Sequence, residues 1–600
     1  GLHVLASCTN PGSRLLDVVV YAEGRGSGAI EFTFPRWVPG SYLIREPFRY
    51  VREINVEDEN GNSLKWKRHG INGITISARS PSKCVSVSYQ VICPELSVRS
   101  NHVDNTHMHL MPPFTWFLPK SGCTWAEEGG PVSVTLNLPK SWSIATQQKE
   151  LKNKEILPNH KSWDVKNGFA MHHLIAENRD ELLDGIIEAN PNKIHSIEVN
   201  GVTHNLKLWD AGGHKIEQSS IDRVLESISK IANGFYELFG VPEIDDYTVI
   251  LHLTGGMRGG LEHMRSQTSM VPRTALWPGE EESWRDLVSL LSHEYVHLWN
   301  VKNLRPKKFL DYDLDSEQTT DLLWWFEGGT SWLGDVICVR SGVWTEEDYR
   351  KDFKRKLERH LKGSGHESQS LAESSYEAWI HYYRQHSYSS ESQISYYNDS
   401  EISLFCLDAE MRKRSRGPGL EQVFVELYNK HGLHSPEAGI DESDIKLALG
   451  KCDGGARLVG FLEKLVHTRK RPDINLAVGR FGLQLESEKN DSEVVDEGWL
   501  GLHLSERGNN LIVTKVRSDS PLRDLLIPDD EIVAIDGSRV RSNKSLSTVL
   551  KGRAEKEVDL LISRHGSLIQ LSCIAKVKPR YDIVLKGKGN QLWNSLISPK

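Results

Sequence analysis

The pentapeptide His293-Glu294-Tyr295-Val296-His297 constrains the fold of this chain more than any other feature. Apolar residues around it recur at helical spacing, so we expect a helix. Four helical residues turn through about 400°, which puts His293 and His297 on one face, one turn apart. Two neutral imidazoles at that spacing can bind one Zn²⁺, and Glu294 can reach a water molecule beside the metal without binding the metal itself. The pattern predicts one Zn²⁺ per chain; the alternative is a helix with two incidental histidines.

A zinc site of this type needs a third protein ligand and an open position for water. The segment directly after the pentapeptide offers no third histidine, because residues 298–306 are LWNVKNLRP. The strongest candidate is Glu327 in the run LLWWFEGGTSW, since a carboxylate among apolar side chains requires a cation. Glu317 and Asp321 are alternatives in a polar stretch, where solvent satisfies carboxylates more simply.

Length and composition are those of a multidomain globular protein. The 600 residues are 38% hydrophobic and 26% charged, which excludes a disordered chain. The net charge of −8 gives no overall attraction to nucleic acid, and no apolar run approaches the length of about 18 residues that a membrane span needs. The sequence favours a soluble, cytoplasmic protein, and an organellar or exported form whose targeting segment has been removed stays open.

Eight scattered cysteines do not form the spacing of a disulfide scaffold. Reduced, buried thiols are the favoured interpretation, and one or two disulfides within the first 123 residues are the alternative. Histidines outside the pentapeptide and in the later polar segments are expected at the surface; they are His360, His366, His381 and His386.

Three regions differ in their sequence pattern. Residues 1–190 contain clusters of β-branched residues separated by Gly, Pro and Asn, which predicts a β-sandwich-like domain. Residues 195–470 contain long helical patterns and a short strand at 247–253, so we expect a mostly helical domain. Residues 480–580 return to short strands with turn signals and are expected to form a small separate module. The predicted fold class is multidomain α+β.

Longer stretches resemble the M61 peptidases, the glycyl aminopeptidase family. SHEYVHLWNVKNLRP at 292–306, followed by LWWFEGGTSW at 323–332, is similar to the family's zinc-binding segments. PRWVPGSYLIREPFRYV at 35–51, GGLEH at 259–263, and ESSYEAWIHYYR with ISYY within 373–397 are similar to further family segments, in the family's order. The resemblance implies a gluzincin domain of thermolysin-like fold, in which two histidines and a glutamate bind zinc, and a C-terminal PDZ domain.

The segment TGGMRGGLEH at 254–263 is better interpreted as an edge strand that passes the metal than as a phosphate loop, because it lacks the GK[ST] ending. Its glycines, Gly260 among them, would let the substrate backbone approach closely. By resemblance to gluzincin aminopeptidases, Glu262 would bind the free α-amino group of the substrate; a solvated loop carboxylate is the alternative.

A phenol beside the metal is a suitable second donor to the oxyanion of a tetrahedral intermediate. The resemblance assigns this role to Tyr397, with Tyr396 as the alternative. The chain departs from the family pattern at Asp399 and Ser400, where a Lys-Gly pair is usual.

The C-terminal module contains Gly501-Leu502, followed by alternating strand residues, which resembles a PDZ carboxylate-binding loop. A PDZ domain adds an extended peptide to a sheet edge and binds its C-terminal carboxylate through backbone N–H groups, so a peptide or protein C-terminus is the expected partner. A packing module that binds nothing is the alternative.

These features together predict a zinc-dependent aminopeptidase that hydrolyses the N-terminal peptide bond of peptides with a free N-terminus. Glu294 would take the proton of the attacking water and pass it to the leaving amine. The resemblance implies release of small residues such as Gly or Ala. The alternatives are a zinc endopeptidase of the same fold and a catalytically silent, PDZ-containing protein that binds peptides.

Overall fold

The computed structural model describes residues 1–24, 28–77, 83–151, 165–488 and 496–599. Within them the chain forms a β-rich N-terminal region, a middle region of helices around one sheet, and a small C-terminal PDZ domain, each with its own apolar core. The predicted multidomain α+β fold is thereby confirmed.

The described residues of the N-terminal region form three sheets. Its strands are β1 (Leu2–Ser7), β2 (Leu15–Glu23), β3 (Ile30–Thr33), β4 (Val51–Asp58), β5 (Trp66–His69), β6 (Gly73–Ile76), β7 (Cys84–Ile92), β8 (His102–Asp104), β9 (His107–Leu110), β10 (Leu118–Ser121), β11 (Val132–Pro139), β12 (Ser143–Thr146), β13 (Lys149–Glu150), β14 (Phe169–Ala176) and β15 (Ile187–Asn190), with short helices α1 (Thr124–Glu128) and α2 (Arg179–Asp184). The sheet orders are β13-β14-β11-β1-β2-β7-β4, β10-β3-β6-β5 and β12-β15-β9-β8.

Strand β7 illustrates why these segments form strands. Val85, Val87, Tyr89 and Val91 alternate along it and are all buried against the N-terminal core. Successive side chains of a strand point to opposite faces, so alternation of this kind creates one apolar face that a sheet can bury.

The middle region contains more sheet than the sequence pattern predicted. Its five strands are β16 (His195–Val199), β17 (Val202–Asp210), β18 (Asp246–Thr254), β19 (Gly259–Glu262) and β20 (Ser266–Pro272), in the order β16-β17-β18-β20-β19. Strand β18 contains the predicted 247–253 segment, and β19 is the edge strand expected from the glycine motif. Strands β17, β18 and β20 run parallel, whereas β19 pairs antiparallel with β20.

The helices of the middle region cover this sheet and extend beyond it. They are α3 (Gln218–Phe239), α4 (Glu281–Val296), α5 (Thr330–Arg340), α6 (Glu346–Lys362), α7 (Leu371–Tyr376), α8 (Ala378–His381), α9 (Ser389–Ser392), α10 (Asn398–Ser415), α11 (Glu421–His431), α12 (Glu442–Gly450), α13 (Gly455–His467) and α14 (Ile474–Arg480). Helix α3 buries one apolar stripe, which includes Ile221, Val224, Ile228 and Ile231, and ends before Gly240, whose φ of +86° suits glycine. Helix α4, which contains the first four residues of the pentapeptide, begins at Glu281 and ends at Val296.

The C-terminal part contains the PDZ domain and a return to the middle region. Its elements are β21 (Gln484–Ser487), β22 (Gly498–Trp499), β23 (Leu502–Arg507), β24 (Asn510–Val516), β25 (Glu531–Ile535), β26 (Ser538–Arg539), α15 (Asn543–Leu550), β27 (Glu557–Arg564), β28 (Ser567–Ile574), β29 (Lys576–Val577), β30 (Ile583–Lys586) and α16 (Gln591–Ile597). Strand β30 pairs with β21, and Trp593 and Leu596 of α16 are buried in the core of the middle region. The chain therefore anchors the PDZ domain at both of its ends.

The N-terminal region packs directly on the middle region beside the pentapeptide helix. Trp37 donates from its indole nitrogen to the carbonyl oxygens of Asp313 and Ser316, both at 2.9 Å. Trp37 and Tyr42 also contact the ring of Trp379 edge to face. Because of this packing, a segment of the N-terminal region reaches the site described below.

All eight cysteines lie in the described part of the chain, and each is a free thiol. The disulfides considered as an alternative are therefore not formed there. None of the helices in the described ranges is long and apolar enough to cross a membrane.

Candidate metal centre and catalytic cleft

His293, His297 and Glu327 converge on one point. His293 Nε2 lies 3.2 Å from His297 Nε2, and Glu327 Oε2 lies 3.4 Å and 3.3 Å from these two nitrogens. Ligands about 2.0–2.1 Å from a tetrahedral Zn²⁺ are roughly 3.3 Å apart, so the three atoms have the spacing of a zinc site. Glu327 Oε2 is buried and has no hydrogen-bond partner among the described residues, as expected of an atom that binds a cation. The donor set therefore fits Zn²⁺.

The remaining ring nitrogens hold both imidazoles in this orientation. His297 Nδ1 donates to the carbonyl oxygen of Asn300 at 2.8 Å, and His293 Nδ1 lies 3.1 Å from Ser331 Oγ. An imidazole whose Nδ1 is engaged in this way directs Nε2 at the metal and fixes the tautomer. Neither Asn300 nor Ser331 was singled out from the sequence.

Glu327 lies in a π-helical turn, Trp324–Gly329, at the start of α5. Such turns often occur at functional sites, because the wider turn redirects one side chain. The second oxygen of Glu327 accepts a hydrogen bond of 3.3 Å from the hydroxyl of Tyr42, a buried residue of the N-terminal region. The rival ligands Glu317 and Asp321 are exposed to solvent and belong to none of the described groups that could hold a metal.

Glu294 faces the same point from the floor of the cleft. It is only 4% exposed, and its Oε2 has no hydrogen-bond partner within the described ranges. A Cβ at Gly260 would lie 2.0 Å from Glu294 Oε1, so glycine is required there for the carboxylate to fit against β19. Burial raises the pKa of Glu294 to about 8; His297 opposes this shift, and Glu262 adds to it. A bound dication would lower the pKa again.

Glu262 ends strand β19 beside the metal centre. It is 3% exposed, and its Oε1 lacks a hydrogen-bond partner in the described part of the chain. Ligand atoms of Glu262, Glu294 and His297 lie within 4.8 Å of one another. A Cβ at Gly40 would lie 2.5 Å from Glu262 Oε1, and Gly40 has a φ of +88°, so glycine is needed at this contact. Burial raises the pKa of Glu262, although His297 opposes it.

The two neighbouring tyrosines have different surroundings. Tyr397 lines the cleft, and its ring centroid lies 5.9 Å from that of His293. Tyr396 is 1% exposed and packs on Tyr42 and Tyr382 in the N-terminal core, with no described partner for its hydroxyl. Of the two, Tyr397 is the one with its side chain in the cleft.

The departure from the family pattern lies directly after these tyrosines. Asp399 pairs with His360 Nδ1 at 2.6 Å and accepts the Ser395 backbone N–H at 2.8 Å. His360 is therefore buried at 5% exposure, and the expected surface position was wrong for this histidine. Ser400 is fully buried. A Cβ added at Gly328 would lie 2.2 Å from the Cβ of Ser400, so Ser400 packs against the π-helical turn.

The cleft around these residues has a volume of about 300 Å³. Its wall includes arginines from three different segments: Arg99, Arg258, Arg355 and Arg359. A larger groove of about 1330 Å³ lies between the N-terminal and middle regions and contains none of the residues named above as candidate ligands or catalytic groups.

A second buried cluster of histidines lies where the N-terminal sheet meets the middle sheet. Glu188 of β15 accepts from His107 Nδ1 at 2.8 Å, His109 Nδ1 at 3.0 Å and His252 Nε2 at 2.8 Å. These distances are those of N–H···O hydrogen bonds and are shorter than the ligand spacing at the first site. The arrangement is a hydrogen-bonded network that joins two regions.

Comparison with known proteins gives matches along the chain. The sequence model described as M61 glycyl aminopeptidase matches residues 286–402, that of the peptidase M61 N-terminal domain matches residues 3–188, and that of the PDZ domain matches residues 498–574. None of the curated proteins matches the chain.

Solved structures superpose on the chain to different extents, and the first of the two described here shares its fold. An aminopeptidase N family protein from Idiomarina loihiensis superposes with a TM-score of 0.89 over 100% of both chains, at 24% identity. A mutant M1 zinc metallopeptidase from Deinococcus radiodurans, bound to a Tyr-Ser-Ala substrate, superposes with a TM-score of 0.47 at 13% identity, over 79% of this chain and 94% of that one.

Proposed function

Because the chain belongs to the M61 peptidase family, we propose that it is a zinc-dependent aminopeptidase that releases small N-terminal residues such as Gly or Ala from peptides. The observation that carries this proposal is the position of a buried carboxylate, Glu262, beside the converging atoms of His293, His297 and Glu327; its Oε1 has no hydrogen-bond partner among the described residues. An enzyme that removes one residue from a free amino terminus needs a metal centre and, next to it, a site for the positively charged amino group of the substrate.

His293, His297 and Glu327 would hold the zinc. Their two Nε2 atoms and Glu327 Oε2 have the spacing of zinc ligands, and this oxygen has no hydrogen-bond partner among the described residues. When bound, Zn²⁺ supplies a Lewis acid that polarises the scissile carbonyl and acidifies a water molecule. Asn300 and Ser331 orient the two imidazoles, and the Tyr42 hydroxyl holds Glu327 in place.

Glu294 would act as the general base and then as the general acid. Its carboxylate takes a proton from the attacking water and delivers it to the leaving amine. The dry surroundings of Glu294 support this role, since a buried carboxylate whose Oε2 has no hydrogen-bond partner among the described residues is free to accept the proton of a water molecule. Because Gly260 has no side chain, the Glu294 carboxylate packs directly against strand β19, along which the substrate would lie.

Glu262 would bind the protonated α-amine of the substrate. A buried carboxylate without a partner is costly, and a substrate ammonium group would satisfy it with a charge-assisted hydrogen bond. This interaction separates the aminopeptidase from the endopeptidase alternative, in which the residue before the scissile bond carries no free amine. Tyr397, whose side chain lines the same cleft, would donate its phenolic hydrogen to the developing oxyanion.

The PDZ domain would bind a peptide or protein C-terminus. Gly501 has a φ of +66° in the loop before β23, and β23 is an edge strand of its sheet among the described residues. An edge strand beside helix α15 provides the open ladder and the groove that strand addition requires.

Comparing free and blocked substrates tests the proposed activity. We expect hydrolysis of Ala-Ala-Ala-NH₂ and Gly-Ala-Ala-NH₂, little hydrolysis of their N-acetylated forms, and loss of activity on zinc chelation. Faster cleavage of larger N-terminal residues would refute the preference for small residues. Equal cleavage of acetylated and free peptides would favour the endopeptidase, and no cleavage of any peptide would favour the silent binding protein.

A further inference from the structure

The wall of the catalytic cleft is rich in arginine in a way that the proposed chemistry does not use. Arg99 comes from the N-terminal region, Arg258 directly precedes β19, and Arg355 and Arg359 are one turn apart on α6. Like charges in one small cleft repel one another, so a cluster of arginines is stable there only when nearby anions balance its positive charge.

Two of the four arginines form ion pairs with carboxylates among the described residues. Asp286 binds Arg258 Nε at 2.6 Å and Arg355 at 3.1 Å, and Asp352 binds Arg355 at 2.6 Å. These carboxylates explain why Arg258 and Arg355 are present in the cleft wall.

Arg99 and Arg359 have no carboxylate within ion-pair distance in the described ranges. Arg99 is half-buried, its Nε is inaccessible and unpartnered there, and its guanidinium stacks over the Tyr383 ring at 5.3 Å. Arg359 lines the cleft, and its side chain is exposed to solvent. Both cations therefore remain available to an anionic ligand.

The strand β19 relates Arg99 to the amine site. A Cβ at Gly259 would lie 3.5 Å from a terminal nitrogen of Arg99, so Arg99 lies beside the first residue of the strand. Glu262 is the last residue of the same strand, three positions away. At about 3.3 Å per residue the two ends are roughly 10 Å apart, which is close to the length of an extended tripeptide.

We propose that Arg99 and Arg359 bind a carboxylate on the leaving-group side of the substrate, so that the preferred substrates are short anionic peptides. This inference rests on the proposed aminopeptidase function. A substrate beside the open edge of β19, with its amine at Glu262, brings its second or third residue to Arg99. The carboxylate is either the free C-terminus of a tripeptide or an acidic side chain at the same distance.

Matched substrates test the proposal on the wild-type enzyme. Ala-Ala-Ala is compared with Ala-Ala-Ala-NH₂, and Ala-Ala-Asp-NH₂ is compared with Ala-Ala-Asn-NH₂. We expect kcat/KM to be about tenfold to a hundredfold higher for the carboxylate of at least one pair, as for a charge-assisted hydrogen bond. A preference in the first pair alone identifies the C-terminus as the recognised group, and a preference in the second pair identifies the side chain.

Variants connect the preference to the arginines. Arg99→Gln and Arg359→Gln should each reduce the ratio of kcat/KM for the acid over that for the matched amide, mainly through KM for the acid, and should leave zinc content unchanged. Lys351→Gln removes the same charge from an exposed position of α6 and should change neither. Equal rates on acid and amide would overturn the inference while leaving the aminopeptidase intact. A preference that survives both arginine variants would also overturn it, whereas failure to cleave any free-amine peptide would refute the proposed function itself.

Discussion

Replacing Glu262 by Gln tests exopeptidase character most sharply. The substitution keeps the shape of a side chain that is 3% exposed and packed against Gly40, so the local structure should be retained. It removes the negative charge that would bind the substrate ammonium group. Zinc binding should be unaffected, because Glu262 is not one of the three proposed ligands.

The magnitude follows from the environment of the carboxylate. A hydrogen bond between charged groups contributes about 1.5–3 kcal/mol, and Glu262 is shielded from solvent that would weaken it. Each 1.36 kcal/mol corresponds to tenfold in rate, so Glu262→Gln should reduce kcat/KM on Ala-Ala-Ala-NH₂ by roughly 10–150-fold.

A double-mutant cycle against substrate acetylation supplies the assay. Acetylation removes the ammonium group and Glu262→Gln removes its partner, so the two losses should be far from additive. Fully additive losses would mean that Glu262 does not bind the amine, and the endopeptidase would then be the better interpretation. The exposed Glu198→Gln is the matched control and should give wild-type kinetics.

Further predictions concern residues that support the site and the fold. Tyr42→Phe removes the hydroxyl that binds Glu327 and should weaken zinc affinity about 10–100-fold, measured by competition with a chelator; unchanged affinity would refute a positioning role for Tyr42. Glu188→Gln disrupts a buried carboxylate held by three histidines and should cost about 3–5 kcal/mol of stability, measured by chemical denaturation with Glu198→Gln as the control; a loss below about 1 kcal/mol would contradict the network's structural role. Burial opposes ionisation of Glu188, but His107 and His252 hold its pKa in the folded protein well below the usual value. The stability that the ionised Glu188 contributes is therefore fully present above its pKa in the unfolded chain, and it is lost as the pH falls through its pKa in the folded protein. The stability difference between wild type and Glu188→Gln should therefore shrink under acid conditions, and a difference independent of pH would contradict this assignment.

The sequence predicts the parts of this fold whose evidence is local. The spacing of His293 and His297 requires only one helix, and the stripe of α3 and the strand β18 follow from periodicity. The aromatic run around Glu327 singled out that carboxylate, although the π-helical turn that carries it has no sequence signature of its own. The family resemblance supplied the PDZ domain.

Other features depend on tertiary contacts that the sequence does not display. Strand β20 has the polar sequence SQTSMVP and looks like a loop, but Ser266 and Ser269 are buried because their hydroxyls bind Gln147 and Gln267. His360 lies near a Ser-rich segment and was expected at the surface, yet its partner Asp399 comes 39 residues later.

The metal centre shows the same limit. Tyr42 lies 285 residues before Glu327, so only the packed regions reveal their hydrogen bond. The segment at 35–51 resembled the family, but nothing in its composition indicated contact with Glu327, a proposed metal ligand.

Zinc content measured together with turnover tests the central claim most directly. Purified wild-type protein should contain about one Zn²⁺ per chain. His297→Ala should lose both metal and activity, whereas Glu294→Gln should keep the metal and lose on the order of 10²–10⁴ in rate. The exposed His69→Ala is the control and should change neither. Full zinc occupancy in His297→Ala, or an active Glu294→Gln enzyme, would contradict the account.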